Sequence, residues 1–105
     1  KVAIETSGTN ELKGHFDWVT FSPKKFKKPL NEYYSNSNEL KVVVYHLSDL
    51  DWAKEHAAKV KGNCEFFLQP EWSKMDELMP AILAFVKLNP RWNLSLQTHK
   101  FIDIP

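Results

Sequence analysis

Residues 40–68 read LKVVVYHLSDLDWAKEHAAKVKGNCEFFL, and this stretch decides the fold class. It opens on Val42, Val43 and Val44, a β-branched run with no polar alternation, and closes on Phe66, Phe67 and Leu68. Unbroken apolar runs read as strands covered on both faces, the habit of parallel sheets in α/β proteins. Between them Ser48-Asp49-Leu50-Asp51 has the form of a capping box. It predicts a helix from near Ser48 to about Val60, before Gly62. Strand, helix and strand in this order make a βαβ unit with a right-handed crossover.

The pattern continues downstream. A second helix is expected over residues 73–88, where Met75, Leu78, Met79, Ile82, Leu83 and Val86 share one helical face. Pro80 cannot donate to the carbonyl of Asp76, so a kink or a restart is expected there. Asn89-Pro90 ends the helix, because the residue before proline avoids helical angles. Residues 92–96 then form a strand that alternates with Asn93 and Ser95. Upstream, residues 18–21 and 2–5 are strand candidates. Only about ten residues separate these two, too few for a comfortable helical crossover. Residues 29–38 read as a short helix or an irregular loop.

The expected fold is therefore α/β with a mostly parallel sheet, with residues 1–105 as one unit. No internal repeat and no linker divides it. The 2–5 strand would expose unpaired backbone groups unless an upstream strand or another subunit covers it. The chain also opens in mid-pattern without an initiator Met. Both features point to a missing N-terminal half.

Composition narrows the function. A chain of 105 residues buries roughly 60–70% of its unfolded surface, enough for a modest core. Fourteen Lys and Arg against thirteen Asp and Glu leave a formal net charge of +1. That balance gives no global attraction to nucleic acid or an anionic membrane. Most of the aromatic residues fall at core positions rather than on a base-stacking surface. No apolar run approaches a membrane span, and no signal peptide is visible. Cys64 is alone, which excludes an internal disulfide framework and fits a cytoplasmic setting with the thiol as a buried small hydrophobe.

Enzyme signatures of the common kinds are absent. Three glycines leave no Gly-rich phosphate loop or dinucleotide fingerprint, and no Ser lies in a nucleophile elbow. His15, His46, His56 and His99 make no metal-spaced cluster with each other or with Cys64. His56 reads as a surface or boundary residue of the first long helix. What remains is the set of polar groups after each strand, since parallel α/β sheets bind ligands beyond the C-terminal strand ends. These are Thr6-Ser7-Gly8-Thr9, Ser22-Pro23-Lys24, His46 with Ser48, Gln69-Pro70-Glu71, and Gln97-Thr98-His99-Lys100. Lys25, Lys27 and Lys28 read as solvated loop residues. Lys24 stands directly at a strand exit, where an ammonium can meet a carboxylate.

Several of these segments are similar to a known family. Glu5-Thr6-Ser7-Gly8-Thr9, Ser22-Pro23-Lys24, Glu39-Leu40-Lys41-Val42-Val43 and Leu68-Gln69-Pro70 resemble the 7-carboxy-7-deazaguanine synthases. So, most specifically, does Asn89-Pro90-Arg91-Trp92 with Leu94-Ser95-Leu96-Gln97-Thr98-His99-Lys100. The blocks follow the family's order and spacing across nearly the whole chain.

The resemblance implies the C-terminal half of a radical S-adenosylmethionine enzyme, with the sheet forming half of an incomplete β/α barrel. Such enzymes convert 6-carboxy-5,6,7,8-tetrahydropterin to 7-carboxy-7-deazaguanine with loss of ammonia, in queuosine and 7-deazapurine biosynthesis for tRNA modification. They use S-adenosylmethionine, a four-iron four-sulfur (4Fe-4S) cluster and Mg2+, and are generally homodimers. By similarity, Thr6 would contact the pterin substrate, and Gly8 would let the backbone approach S-adenosylmethionine. Ser22, Pro23 and Lys24 would line the S-adenosylmethionine site, and Gln69, Pro70, Glu71 and Trp72 would continue it. Pro105, if it is the natural end, would supply a terminal carboxylate to the substrate. His99 and Lys100 are weaker candidates for shaping the pocket.

The family's three cluster cysteines, the magnesium-binding Thr beside them, a Gly-rich segment and a substrate-binding Arg belong to the N-terminal half. Cys64 cannot replace the cysteines, so this chain alone is expected to be inactive. Asn93 stands where the family often has Arg, and Asp103 where Gly is common. Two other readings of the sequence are a free-standing module binding S-adenosylmethionine or a pterin, and a structural domain that dimerises through the 2–5 edge.

Overall fold

The computed structural model describes residues 3–9, 11, 14, 16–25, 27–60 and 63–95. In chain order the elements are β1 (Ala3–Thr6), β2 (Trp18–Phe21), α1 (Glu32–Asn36), β3 (Glu39–Val44), α2 (Asp49–Lys59), β4 (Glu65–Pro70), a 3-10 turn (Trp72–Lys74), α3 (Met75–Leu88) and β5 (Trp92–Leu94). The five strands form one sheet in the order β1-β2-β3-β4-β5, and every neighbouring pair is parallel.

That order fixes where the helices go. A right-handed crossover that always steps the same way along the sheet lands on the same face each time. With no reversal in strand order there is no switch point, and the helices cannot divide between two faces as in a doubly wound sheet. The packing follows this rule. Ala53 of α2, Leu78 and Ile82 of α3, and Tyr33 and Tyr34 of α1 join one buried cluster with Phe21, Leu40, Val42, Val44, Phe66, Leu68 and Trp92. The register places Glu5, Thr20, Glu39, Lys41, Val43, Phe67, Gln69 and Asn93 on the opposite face. Along β3, Leu40, Val42 and Val44 are fully buried, whereas Glu39, Lys41 and Val43 are only half-buried. A one-sided parallel sheet curls into a barrel, and this one is the half-barrel expected.

β1 lies at the edge of the sheet, as its position in the sequence predicted. It pairs with β2 although no helix appears among the described residues between them. A short hydrogen bond, Ser22 N–H to Thr6 C=O at 2.8 Å, extends that pairing past the strand ends.

Four local expectations change. The capping box does not form: Ser48 itself has helical angles (φ −63°, ψ −19°) and makes no side-chain cap, whereas a capping hydroxyl needs an extended backbone to swing back. The helix α3 does not restart at Pro80 but runs unbroken from Met75 to Leu88. Proline there removes the bond to Asp76, and both residues are exposed, so water can take the carbonyl. The fourth strand is longer than its apolar run, because Gln69 and Pro70 pair with Val43 and Val44. Pro70 ends it without cost, since Glu71 N–H supplies the next bond to Val44 C=O at 2.9 Å. Finally, His56 is no surface residue: it is 7% exposed and packs against Tyr34, Trp52 and Phe21.

Candidate functional site

Because all five strands run the same way, their C-terminal ends lie along one rim. Three backbone hydrogen bonds tie this rim together: Ser22 N–H to Thr6 C=O, Leu30 N–H to Gly8 C=O at 2.8 Å, and Glu71 N–H to Val44 C=O. Gly8 is buried with φ +79°, and the place its Cβ would take is filled by the Phe21 ring and Pro29. The hydroxyl of Thr6 accepts the Gly8 N–H at 3.1 Å, which closes this turn. Its own proton stays available to donate.

At the exits of β2 and β3 a cavity of about 330 Å³ is lined by Pro23, Lys24, Lys25, Val43, Tyr45 and Trp52. This is within the size range of small-molecule sites, and it combines an apolar wall with convergent polar groups. Ser22 precedes Pro23 at the end of β2, buried, with an Oγ that has no hydrogen-bond partner among the described residues. Gln69 is buried as the register partner of Val43. The geometry thus puts Pro23 and Lys24 in the cavity wall, with Ser22 preceding Pro23 and Gln69 beside Val43 on the neighbouring strand. Pro70, a residue further, faces the helix side with its partner Val44.

Glu71 and Trp72 lie apart from this cavity. The Glu71 carboxylate accepts the Ser73 N–H at 3.0 Å and also the Ser73 hydroxyl, capping the 3-10 turn. Trp72 lines a second depression of about 250 Å³ with Ser73, Met75 and Asp76. His99, Lys100 and Pro105 lie outside the described residues, as do Gln97 and Thr98.

Three features of the site had no mark in the sequence. Lys25 stays on an exposed turn, yet its ammonium also pairs with the fully buried Asp49. Asp49 also accepts the N–H groups of Tyr45 at 2.7 Å and His46 at 3.0 Å. Burial pushes this carboxyl up, but the hydrogen bonds from Lys25, Tyr45 and His46 and the Lys25 charge outweigh it and hold Asp49 below its usual range. On the half-barrel's inner face, Lys41 meets Glu5 at 2.7 Å across the intervening β2, and Trp18 Nε1 donates to Glu39 at 3.2 Å. Opposite charges on β1 and β3 could be matched only once the strand order was known.

The donor set fits S-adenosylmethionine: Lys24 offers a cation for its carboxylate, and the unpartnered Ser22 hydroxyl a hydrogen bond. It does not fit a metal or an iron–sulfur cluster. Among the described residues no three His, Cys, Asp or Glu side chains converge. Cys64 is buried, and that burial pushes its thiol up to about 11 despite the nearby Arg91. Among the described residues, no helix is long and apolar enough to cross a membrane.

No family model matches the chain. Curated relatives do. The 7-carboxy-7-deazaguanine synthase of Flavobacterium psychrophilum is 50% identical over 105 residues, which is 100% of this chain and 50% of that protein. The enzyme of the same name from Synechocystis sp. is 39% identical over 99% of this chain and 50% of its own length. The one from Bacteroides thetaiotaomicron is 40% identical over 98% of this chain and 50% of its own. The crystal structure of QueE from Escherichia coli superimposes with a TM-score of 0.76 at 33% identity, over 92% of this chain and 45% of QueE. The chain spans about half the length of these relatives. With relatives of that name 39–50% identical over 98–100% of its length, the chain belongs to the 7-carboxy-7-deazaguanine synthase family.

Proposed function

We propose that this chain supplies one wall of the active site of a radical S-adenosylmethionine carbon–nitrogen lyase. The reaction is the conversion of 6-carboxy-5,6,7,8-tetrahydropterin to 7-carboxy-7-deazaguanine for queuosine biosynthesis. The observation that carries this reading is the buried, unpartnered Ser22 Oγ beside the Lys24 cavity at the β2 exit. A buried hydroxyl without a partner costs about 1–3 kcal/mol, so a ligand that satisfies it is favoured there.

S-adenosylmethionine and a reduced cluster, when bound, would supply the radical chemistry, so the cofactor would carry the hard step. The chain's own residues bind and orient. Lys24 pairs with the amino-acid carboxylate, Ser22 hydrogen-bonds beside it, and Pro23, Val43 and Gln69 form the wall that excludes water. Glu71 and Trp72 extend the site along the rim. Gly8 brings backbone close to S-adenosylmethionine, and Thr6 donates its remaining hydroxyl proton to the pterin. In this reading the cluster and Mg2+ are held by the N-terminal half, in a cytoplasmic homodimer.

The test is iron–sulfur reconstitution of the isolated chain, followed by reductant, S-adenosylmethionine and the tetrahydropterin. No deazaguanine and no 5′-deoxyadenosine should form. The same half joined to the N-terminal half of the Flavobacterium relative should form both. Turnover by the isolated chain would contradict the half-site.

A further inference from the structure

The rim contains a cross-link that the proposed binding residues do not include. Lys25 follows Lys24 in a tight turn closed by Lys27 N–H to Lys24 C=O at 3.3 Å. Its ammonium reaches across to Asp49 and lies 5.9 Å from the centre of the Trp52 ring. Asp49 is fully buried, and its other carboxylate oxygen holds the two amides at the β3 exit. The two sides of the 330 Å³ cavity come from separate segments. Pro23, Lys24 and Lys25 follow β2, whereas Val43 and Tyr45 belong to β3 and its exit and Trp52 to α2. Among the described side chains, the Lys25–Asp49 pair is the ion pair that joins these sides.

We infer that Asp49 and Lys25 are positioning residues: their pair is a latch that holds the Lys24–Lys27 turn against the β3 exit, and so fixes where the Lys24 ammonium stands over the cavity. Neither residue needs to touch the ligand. The location of the latch is a property of the fold; its consequence for S-adenosylmethionine rests on the reading proposed above. Chemistry favours such a device here. A lysine on an exposed turn has high rotamer freedom, and its neighbour must be held still if it is to meet a carboxylate in one geometry. A pair with a fully buried, doubly hydrogen-bonded carboxylate is far less screened than a surface pair.

The latch can be read by amide hydrogen exchange on the whole 105-residue chain, compared with Lys25→Met, Lys25→Arg and Asp49→Asn. Lys25→Met changes a partly exposed side chain and leaves Asp49 on its two amides. Exchange at Lys27 should quicken about tenfold while Tyr45 and His46 stay protected. Lys25→Arg should restore slow exchange at Lys27, because the guanidinium can span the same gap. Asp49→Asn keeps an acceptor for the two amides but removes the charge, so it should resemble Lys25→Met. Unchanged exchange at Lys27 in Lys25→Met would overturn the latch.

A second arm adds S-adenosylmethionine to the chain joined to the N-terminal half of the Flavobacterium relative and follows the amide signals of residues 22 and 24. If Lys24→Met abolishes the ligand-induced shifts while Lys25→Met leaves Lys27 protected, the latch falls and the binding reading stands. If the ligand moves no signal there while Lys25→Met frees the turn, the latch stands and the binding reading falls.

Discussion

Tyr34 and His56 lie stacked, with ring planes 11° apart and centroids 5.8 Å apart, and share a hydrogen bond of 2.8 Å between the phenol oxygen and Nδ1. This contact joins α1 to α2 over the Phe21 ring, which meets Tyr34 edge-on at 5.4 Å. Burial, assisted by the Lys59 charge, lowers His56 to about 4. A lowered histidine favours the neutral form in the folded chain, so the unfolded chain binds the extra proton. Stability is therefore complete above the unfolded value near 6.5 and is lost as the pH falls towards 4. Urea denaturation should show a loss of about 2 kcal/mol between about pH 7 and about pH 5, a range that precedes most carboxylate titration. In His56→Gln that slope should vanish. Equal stability of the native sequence at both pH values would contradict a buried neutral His56.

Gly8 predicts a backbone effect. An alanine Cβ would sit 2.6 Å from Phe21 Cε1, on a residue with φ +79°. Left-handed strain and overpacking together should cost about 2–4 kcal/mol. A denaturation midpoint in Gly8→Ala close to that of the native chain would show that the turn adapts.

Cys64 predicts an unreactive thiol. It is 3% exposed and raised to about 11 by burial, so almost no thiolate exists at neutral pH. Labelling with a disulfide reagent should be slow in the native chain and fast in denaturant. Fast native labelling would place Cys64 at the surface.

Ile82 and Leu40 are fully buried in the cluster that joins the helices to the sheet. Ile82→Ala should lower stability by about 2–5 kcal/mol, a large part of what a chain this size has. Leu83, half exposed on the same helix, should tolerate alanine within about 1 kcal/mol. Equal costs would mean that α3 packs by another face.

The parallel sheet was legible because its signal is local. Val42-Val43-Val44, the 49–59 helix and Phe66-Phe67 each declare themselves within a few residues, and the chain order then dictates the topology. The polar exits Ser22 and Lys24 follow from the same rule, whereas Gln69 lies inside β4 rather than after it. What escaped was non-local or rested on a single hydrogen bond. Asp49 reads as part of a capping box, since Ser48-Asp49 has the right letters, yet its carboxylate turns back to Tyr45 and His46. Lys25 looked solvated because its partner lies twenty-four residues on. His56 looked like a boundary residue because its phenolic partner comes from α1, whose five residues carry no helical period of their own. Glu5 and Lys41 become neighbours only through β2.

The most direct measurement is calorimetric titration of S-adenosylmethionine into the isolated chain, beside the same chain joined to the N-terminal half of the Flavobacterium relative. Binding should be feeble alone and tighter by about a hundredfold or more when the opposite wall is supplied. Equal affinity in the two proteins would contradict a shared cavity.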